Sequence, residues 1–348
     1  MGKVHPRNSS QIWRYTLCSL LSAALLSSAV FAQAQAQEQE RRQAPVHLAA
    51  TSINLEDVPY PYPVSYRDFD LYEQALRMVY MDVAPTSPAN GQTVLLLHGM
   101  NWYSEYWGET IRRLTAEGYR VIAPDQIGFG RSSKPIIPYS LHDHVTNTKA
   151  ILDSLGIEQA VVLGHSMGGA IATRFAFSFP AVTSHLVLVN PIALTDSRLS
   201  REWSQFESYT PESDGRDYEA VRRNIERYFV TWDEAYERYI DINYGWTLSA
   251  EWPRLATVRA LNSQWLYQDP TVYDRPHIQA KTLFLAGADD GPNFPAQAAQ
   301  TVADIPNAEL ILIDNAGHIP FFEKPAEFYP PLLAFIASEP LSMPQSNR

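Results

Sequence analysis

The chain is 348 residues long, 45% hydrophobic and 19% charged, enough for one large or two ordinary domains with a full apolar core. That excludes the disordered, collagen-like and disulfide-scaffold classes. Its 27 Lys and Arg against 38 Asp and Glu leave a formal charge of -11, which disfavours nucleic acid and anionic membrane surfaces as partners.

Lys3, Arg7 and Arg14 make a basic start, Thr16 to Ala32 carries no charge, and Ala34-Gln35-Ala36 is a small-x-small cleavage signal. The pattern predicts a secretory signal peptide over residues 1–36. The protein is therefore expected to be exported, periplasmic or secreted, with no stable membrane anchor after cleavage. The apolar run includes four serines and falls short of the roughly 20 strongly apolar residues that a membrane span requires. Residues 1–36 hold three basic and no acidic side chains, so their removal takes the net charge from -11 to -14. Cys18 is the only cysteine, so the exported chain has no disulfide or cysteine metal site to stabilise it.

Residues 37–63 are polar, with recurring Gln, Glu and Pro, and read as a linker or an extended arm. Beyond them, short Val, Ile and Leu runs alternate with segments of helical period, the signature of an α/β fold with a mostly parallel sheet. Strands are expected at Met78 to Val83, Val94 to Leu97, Arg120 to Ala123, Ala160 to Leu163, Leu186 to Val189, Thr282 to Ala286 and Leu310 to Ile313. The last six runs are short and uninterrupted, as in strands buried on both faces. Helices are expected at Glu105 to Glu117, Leu141 to Leu155, Gly168 to Phe179, Ala296 to Ala303 and Ala326 to Ala337.

The interval 195–273 breaks this rhythm. It shows no convincing strand yet holds five of the chain's eight tryptophans, Trp203, Trp232, Trp246, Trp252 and Trp265. It reads as a helical cap between two halves of a core, 64–194 and 274–340. Most of its aromatics should form the cap's own core, the remainder lining a pocket against the sheet.

Gly164-His165-Ser166-Met167-Gly168 follows one strand run directly and opens a helix. A sharp strand-to-helix turn exposes its serine, and glycines two residues away on either side avoid collision. A serine hydroxyl needs a base, and the base needs an orienting acid. His318 sits in a loop after the Leu310 run, and Asp289 and Asp290 follow the Thr282 run, giving the order Ser, Asp, His at strand C-termini.

The segment from Val94 to Phe335 resembles the α/β-hydrolase superfamily, in its serine-nucleophile, cap-bearing, esterase- or lactonase-like branch. The resemblance is carried by His98-Gly99-Met100, the turn Asp125 to Ser132, Gly164 to Gly169, Gly287-Ala288-Asp289-Asp290, and Gly317-His318 with Glu323, Pro325 and Phe328. Trp107 stands where that branch often carries an aromatic. The resemblance implies an α/β-hydrolase fold with a helical cap after the sixth strand. It implies Ser166 as nucleophile, His318 as general base, Asp290 as orienting carboxylate with Asp289 as the alternative, and an oxyanion hole from the backbone N–H groups of Met100 and Met167. The two Met side chains are expected to line the pocket.

Asp125 is expected to fix its own turn, and His165 to be packed. His142 and His144, two apart on a helix, share no face and make no metal pair. No metal or nucleotide motif occurs, so no cofactor and no metal are expected. Ser166 disfavours the dehalogenase and epoxide hydrolase chemistries, which use aspartate there. Carbon-carbon bond hydrolases and cofactor-free haloperoxidases remain alternatives within the superfamily, and a non-catalytic binding protein remains one outside it. The first expectation is an exported serine hydrolase acting on a small hydrophobic or aromatic ester or lactone. The acidic composition points to a neutral or cationic substrate.

Overall fold

The computed structural model describes residues 48–205 and 217–341. The expected signal peptide, 1–36, and residues 37–47 of the expected linker lie outside them.

Eight strands form one sheet: β1 Val64–Leu71, β2 Gln74–Val83, β3 Thr93–Leu97, β4 Arg120–Asp125, β5 Ala160–His165, β6 Thr183–Val189, β7 Lys281–Gly287 and β8 Ala308–Ile313. Their spatial order is β1-β2-β4-β3-β5-β6-β7-β8. β1 and β2 pair antiparallel, as do β2 and β4, and every pairing from β4 to β8 is parallel. β3 is wholly buried and β4 to β7 nearly so, because helices cover both faces. This is an α/β-hydrolase architecture. Ser166, Asp290 and His318 all leave the sheet at the C-terminal end of their strands, where open parallel sheets place their sites.

Two strand expectations need correction. β1 is absent from the sequence reading and β2 begins at Gln74, because β1 lies half-exposed at the sheet edge, the start of β2 pairs with β1 alone, and both mix Arg and Asp among their apolar residues. Their turn is also disguised: Tyr72 and Glu73 both take positive φ, 48° and 58°, a hairpin geometry that usually calls for Asn or Gly. At the other edge β8 is mostly half-buried, so it is not covered on both faces.

Between β6 and β7 the described residues form helices Tyr218–Glu226, Glu237–Leu248 and Trp252–Gln268, with short 3-10 turns and no strand. Residues 48–63, read from composition as a linker or arm, run without helix or strand but are not a solvated linker. Ile53, Leu55 and Val58 are buried against Tyr103, Ile242, Trp246, Trp252, Leu255 and Ala256. The arm is also tied by hydrogen bonds. Thr51 N–H donates to the Gly245 carbonyl at 3.0 Å and Trp246 Nε1–H to the Ser52 carbonyl at 3.2 Å. From the core side, Arg131 donates to the carbonyls of Leu55 and Val58. Sparse apolar residues in a polar stretch conceal such a clamp, since three anchors without periodicity give no helical or strand signal.

Candidate active site

Strand β5 runs straight into the helix Met167–Ser178, and Ser166 is the hinge between them, at φ 56° and ψ -118°. Such a conformation costs a non-glycine residue about 1–3 kcal/mol and persists only where the surroundings enforce it. Here they do. Ser166 N–H donates to the Val189 carbonyl at 3.0 Å, and the Ser166 carbonyl accepts from Ile192 N–H at 3.1 Å. The turn is so tight that a Cβ on Gly164 would stand 2.0 Å from the Gly168 carbonyl oxygen, and one on Gly168 would stand 2.1 Å from that of Leu97.

His318 Nδ1–H donates to Asp290 Oδ2 at 2.7 Å. That bond fixes the tautomer, leaving Nε2 with the lone pair that a general base needs. The same carboxylate oxygen accepts from Asn190 Nδ2 at 3.0 Å, and Asn190 in turn holds the end of β7 by accepting the Gly287 N–H. Asn190 was not singled out in the sequence. Its place directly after the β6 apolar run is the signal that could have found it. The neighbouring Asp289 points elsewhere: it is exposed, and its carboxylate accepts the Asn315 N–H at 2.9 Å.

The loop carrying Met100 is held from beneath. His98, buried and pushed below its ordinary pKa by desolvation, donates through Nδ1 to the Gly99 carbonyl and accepts the Gln126 N–H at Nε2. Neither Met100 N–H nor Met167 N–H donates to a backbone carbonyl among the described residues. The Met100 side chain lines the cavity, whereas that of Met167 is fully buried in the main core, so only one of the two Met side chains lines the pocket as expected.

A cap residue closes over the histidine. The Tyr228 carbonyl accepts the His318 N–H at 2.8 Å, and its ring stacks on the imidazole with centroids 5.0 Å apart. Its hydroxyl accepts from Asn101 Nδ2 at 2.5 Å, beside Met100. Glu323 joins the same parts: one carboxylate oxygen takes the Gly317 N–H at 2.7 Å, the other the Val230 N–H at 2.7 Å. A Cβ on Gly317 would stand 2.6 Å from the Tyr228 carbonyl oxygen, which explains the glycine before the histidine. Tyr228 was not foreseen, because nothing in the sequence relates residue 228 to residue 318.

Ser166, His318 and Asp290 share a cavity of about 610 Å3 with Met100, Asn101, Ile192, Leu194, Leu266 and Phe294. Of the described cap aromatics only Tyr228 lines it. Among the cap tryptophans Trp246, Trp252 and Trp265 are buried in the protein interior and Trp203 is exposed.

The remaining sequence candidates take structural positions. Asp125 is fully buried and accepts from Ser104 N–H at 2.7 Å, Arg131 N–H at 2.8 Å and Tyr60 OH at 2.6 Å. His165, held neutral by burial, donates to the His318 carbonyl and accepts from Tyr106 OH. Trp107 is buried and stacks on Phe321 at 4.8 Å. His142 is exposed, while His144 is buried between Gln126 and Asn262. Among the described residues no cluster of His, Cys, Asp and Glu could hold a metal, and no helix is long and apolar enough to cross a membrane.

Residues 94–330 match the model of the alpha/beta hydrolase family. A solved structure of a probable hydrolytic enzyme from Pseudomonas aeruginosa is 34% identical, with a TM-score of 0.80 over 84% of this chain and 99% of that one. An uncharacterized protein of Mycobacterium tuberculosis is 28% identical over 283 residues, 77% of this chain and 79% of the relative. A haloalkane dehalogenase of Mycolicibacterium paratuberculosis is 34% identical over 165 residues, but these span only 45% of this chain and 53% of the dehalogenase. With the matched region running from strand β3 to beyond His318, the chain belongs to the alpha/beta hydrolase family.

Proposed function

We propose that the protein is an exported serine hydrolase that cleaves carboxylic esters or lactones. The observation that carries this reading is the 2.7 Å bond from His318 Nδ1 to Asp290, in the cavity that Ser166 lines from its strained turn. In this mechanism His318 Nε2 takes the Ser166 proton as Oγ attacks the ester carbonyl. The N–H groups of Met100 and Met167 stabilise the oxyanion, about 3 kcal/mol for each well-placed donor. His318 then protonates the leaving alcohol, and a water activated by the same nitrogen releases the acid from the acyl-enzyme. Asp290 keeps the imidazole in its tautomer and faces the positive charge that forms. No step calls on a metal or cofactor. The apolar residues Ile192, Leu194, Leu266 and Phe294 supply contact for a hydrophobic acyl or alcohol group. Export is inferred from residues 1–36 alone.

The test is hydrolysis of 4-nitrophenyl acetate and butyrate by the purified chain beside Ser166→Ala. Turnover that disappears with Ser166, and labelling of that serine by a fluorophosphonate, are expected. Turnover that persists in Ser166→Ala, or an intact protein neither active nor labelled, overturns the reading.

A further inference from the structure

The Tyr228 hydroxyl carries a proton that its neighbours cannot take. Two groups donate to its oxygen, Asn101 Nδ2 and, at 3.3 Å, the guanidinium of Arg227. Arg227 has donors only, so it cannot accept in return. The Asn101 amide cannot either, because its orientation is fixed from the other end. There Arg259, on the cap helix Trp252–Gln268, donates to Asn101 Oδ1. A flipped amide would set N–H against N–H, so Nδ2 has to face the tyrosine. The phenol proton is thus turned away from both donors, and no acceptor for it occurs among the described residues.

The hydroxyl stands beside the reacting groups. Tyr228 is half-buried and lines the same cavity as Ser166, His318, Met100 and Asn101. Its ring lies over the imidazole, 27° from parallel, and its oxygen is tied to the side chain of the residue that follows Met100. Hydrogen bonds that a hydroxyl accepts polarise it and strengthen the one it donates. Arg259 also finds a reason here. Its described contacts are Asn101 and the Trp246 ring, with no carboxylate among them, and what it fixes is the direction of the amide.

We propose that Tyr228 is a third donor to the oxyanion, its O–H joining the N–H groups of Met100 and Met167 on the ester's carbonyl oxygen once Ser166 has attacked. This deepens the serine-hydrolase reading and rests on it. Asn101 and Arg259 are then positioning residues that act through Tyr228. One donor of the oxyanion hole belongs to the cap, held in place by the bond from His318 N–H to the Tyr228 carbonyl.

Tyr228→Phe tests this, because it removes the hydroxyl and keeps both the stacked ring and the carbonyl bonded to His318. On 4-nitrophenyl butyrate kcat should fall about a hundredfold, as for loss of one oxyanion donor, with KM little changed. A hydroxyl that merely held Asn101 and the Met100 loop would also lower kcat, and two readouts separate the roles. The first is the affinity for 1,1,1-trifluoroheptan-2-one, measured by calorimetry. Ser166 Oγ bonds to the ketone carbon, the π pair moves to its oxygen and the serine proton passes to His318, giving an oxyanion without a leaving group. That affinity should weaken at least fivefold in Tyr228→Phe. The second is Asn101→Ala, which releases the tyrosine but leaves its O–H, and which should cost less in kcat than Tyr228→Phe. A smaller change in ketone affinity, or an equal or greater loss in Asn101→Ala, overturns the assignment while Ser166-dependent turnover keeps the hydrolase reading intact. A parent protein that neither turns over esters nor binds the ketone removes both.

Discussion

Two adjacent aspartates follow β7, and spacing alone does not separate them. The choice is made by Asn190, a hundred positions upstream, whose amide holds Asp290 toward His318 while Asp289 turns out to the Asn315 N–H. Asp290→Asn is expected to lower kcat on 4-nitrophenyl butyrate by about four orders of magnitude, because the amide disrupts the tautomer that Nδ1–H donation enforces. Asp289→Asn should stay within a few-fold of the parent. Equal losses in the two variants would contradict the assignment. Lys134 is buried against the carbonyls of Gly130 and Ser132, and desolvation pushes it down to about 7 from 10.5. Between those values the unfolded chain holds a proton that the folded chain has lost, so stability rises with pH across the window and the penalty is complete below it. From pH 7 to 9 this contribution amounts to about 2 kcal/mol. Urea melts at both pH values should show the rise in the parent and a much smaller one in Lys134→Met; equal rises in both proteins would refute it.

At the scale of elements, the parts that the sequence made legible are those with dense local signals. The runs Val94 to Leu97 and Ala160 to Leu163 are apolar without a break because both their faces are covered, and the elbow motif lies where one such run meets a helix. Strand β1 carries no such signal, since an edge strand needs only one buried face and its turn uses Tyr72 and Glu73 in place of the usual residues. The bond network between cap and histidine loop was hidden for another reason: it is made by backbone carbonyls and N–H groups, which leave no trace in residue type. Glu323 is its one visible member. Glu323→Ala removes the acceptor shared by Gly317, Val230 and Thr231 and should lower kcat about tenfold by loosening the imidazole's placement. Glu323→Gln, which keeps one acceptor oxygen, should recover part of the loss. An unchanged kcat in Glu323→Ala would show that the tie does not position the base.

For the whole molecule, the cap is fastened on two sides. Tyr228 and Glu323 bind it to the histidine loop, and the arm 48–63 binds it from the opposite end of the sequence. Ile53 is 2% exposed and belongs to the arm's buried cluster. Ile53→Ala should destabilise the protein by about 3 kcal/mol in urea unfolding. A loss below about 0.5 kcal/mol would mean that the arm rests on the cap without supporting it.

The arm also sets an order in time. Its apolar anchors leave the ribosome early, yet the tryptophans that bury them, Trp246 and Trp252, follow almost two hundred residues later. At about 5–20 residues per second that is an interval of tens of seconds during which Ile53 and Leu55 lack the two tryptophans that complete their buried cluster. Closure of the arm is therefore a late, long-range event of the kind that slows folding. A nascent chain halted before the cap would display those two side chains to any chaperone within reach.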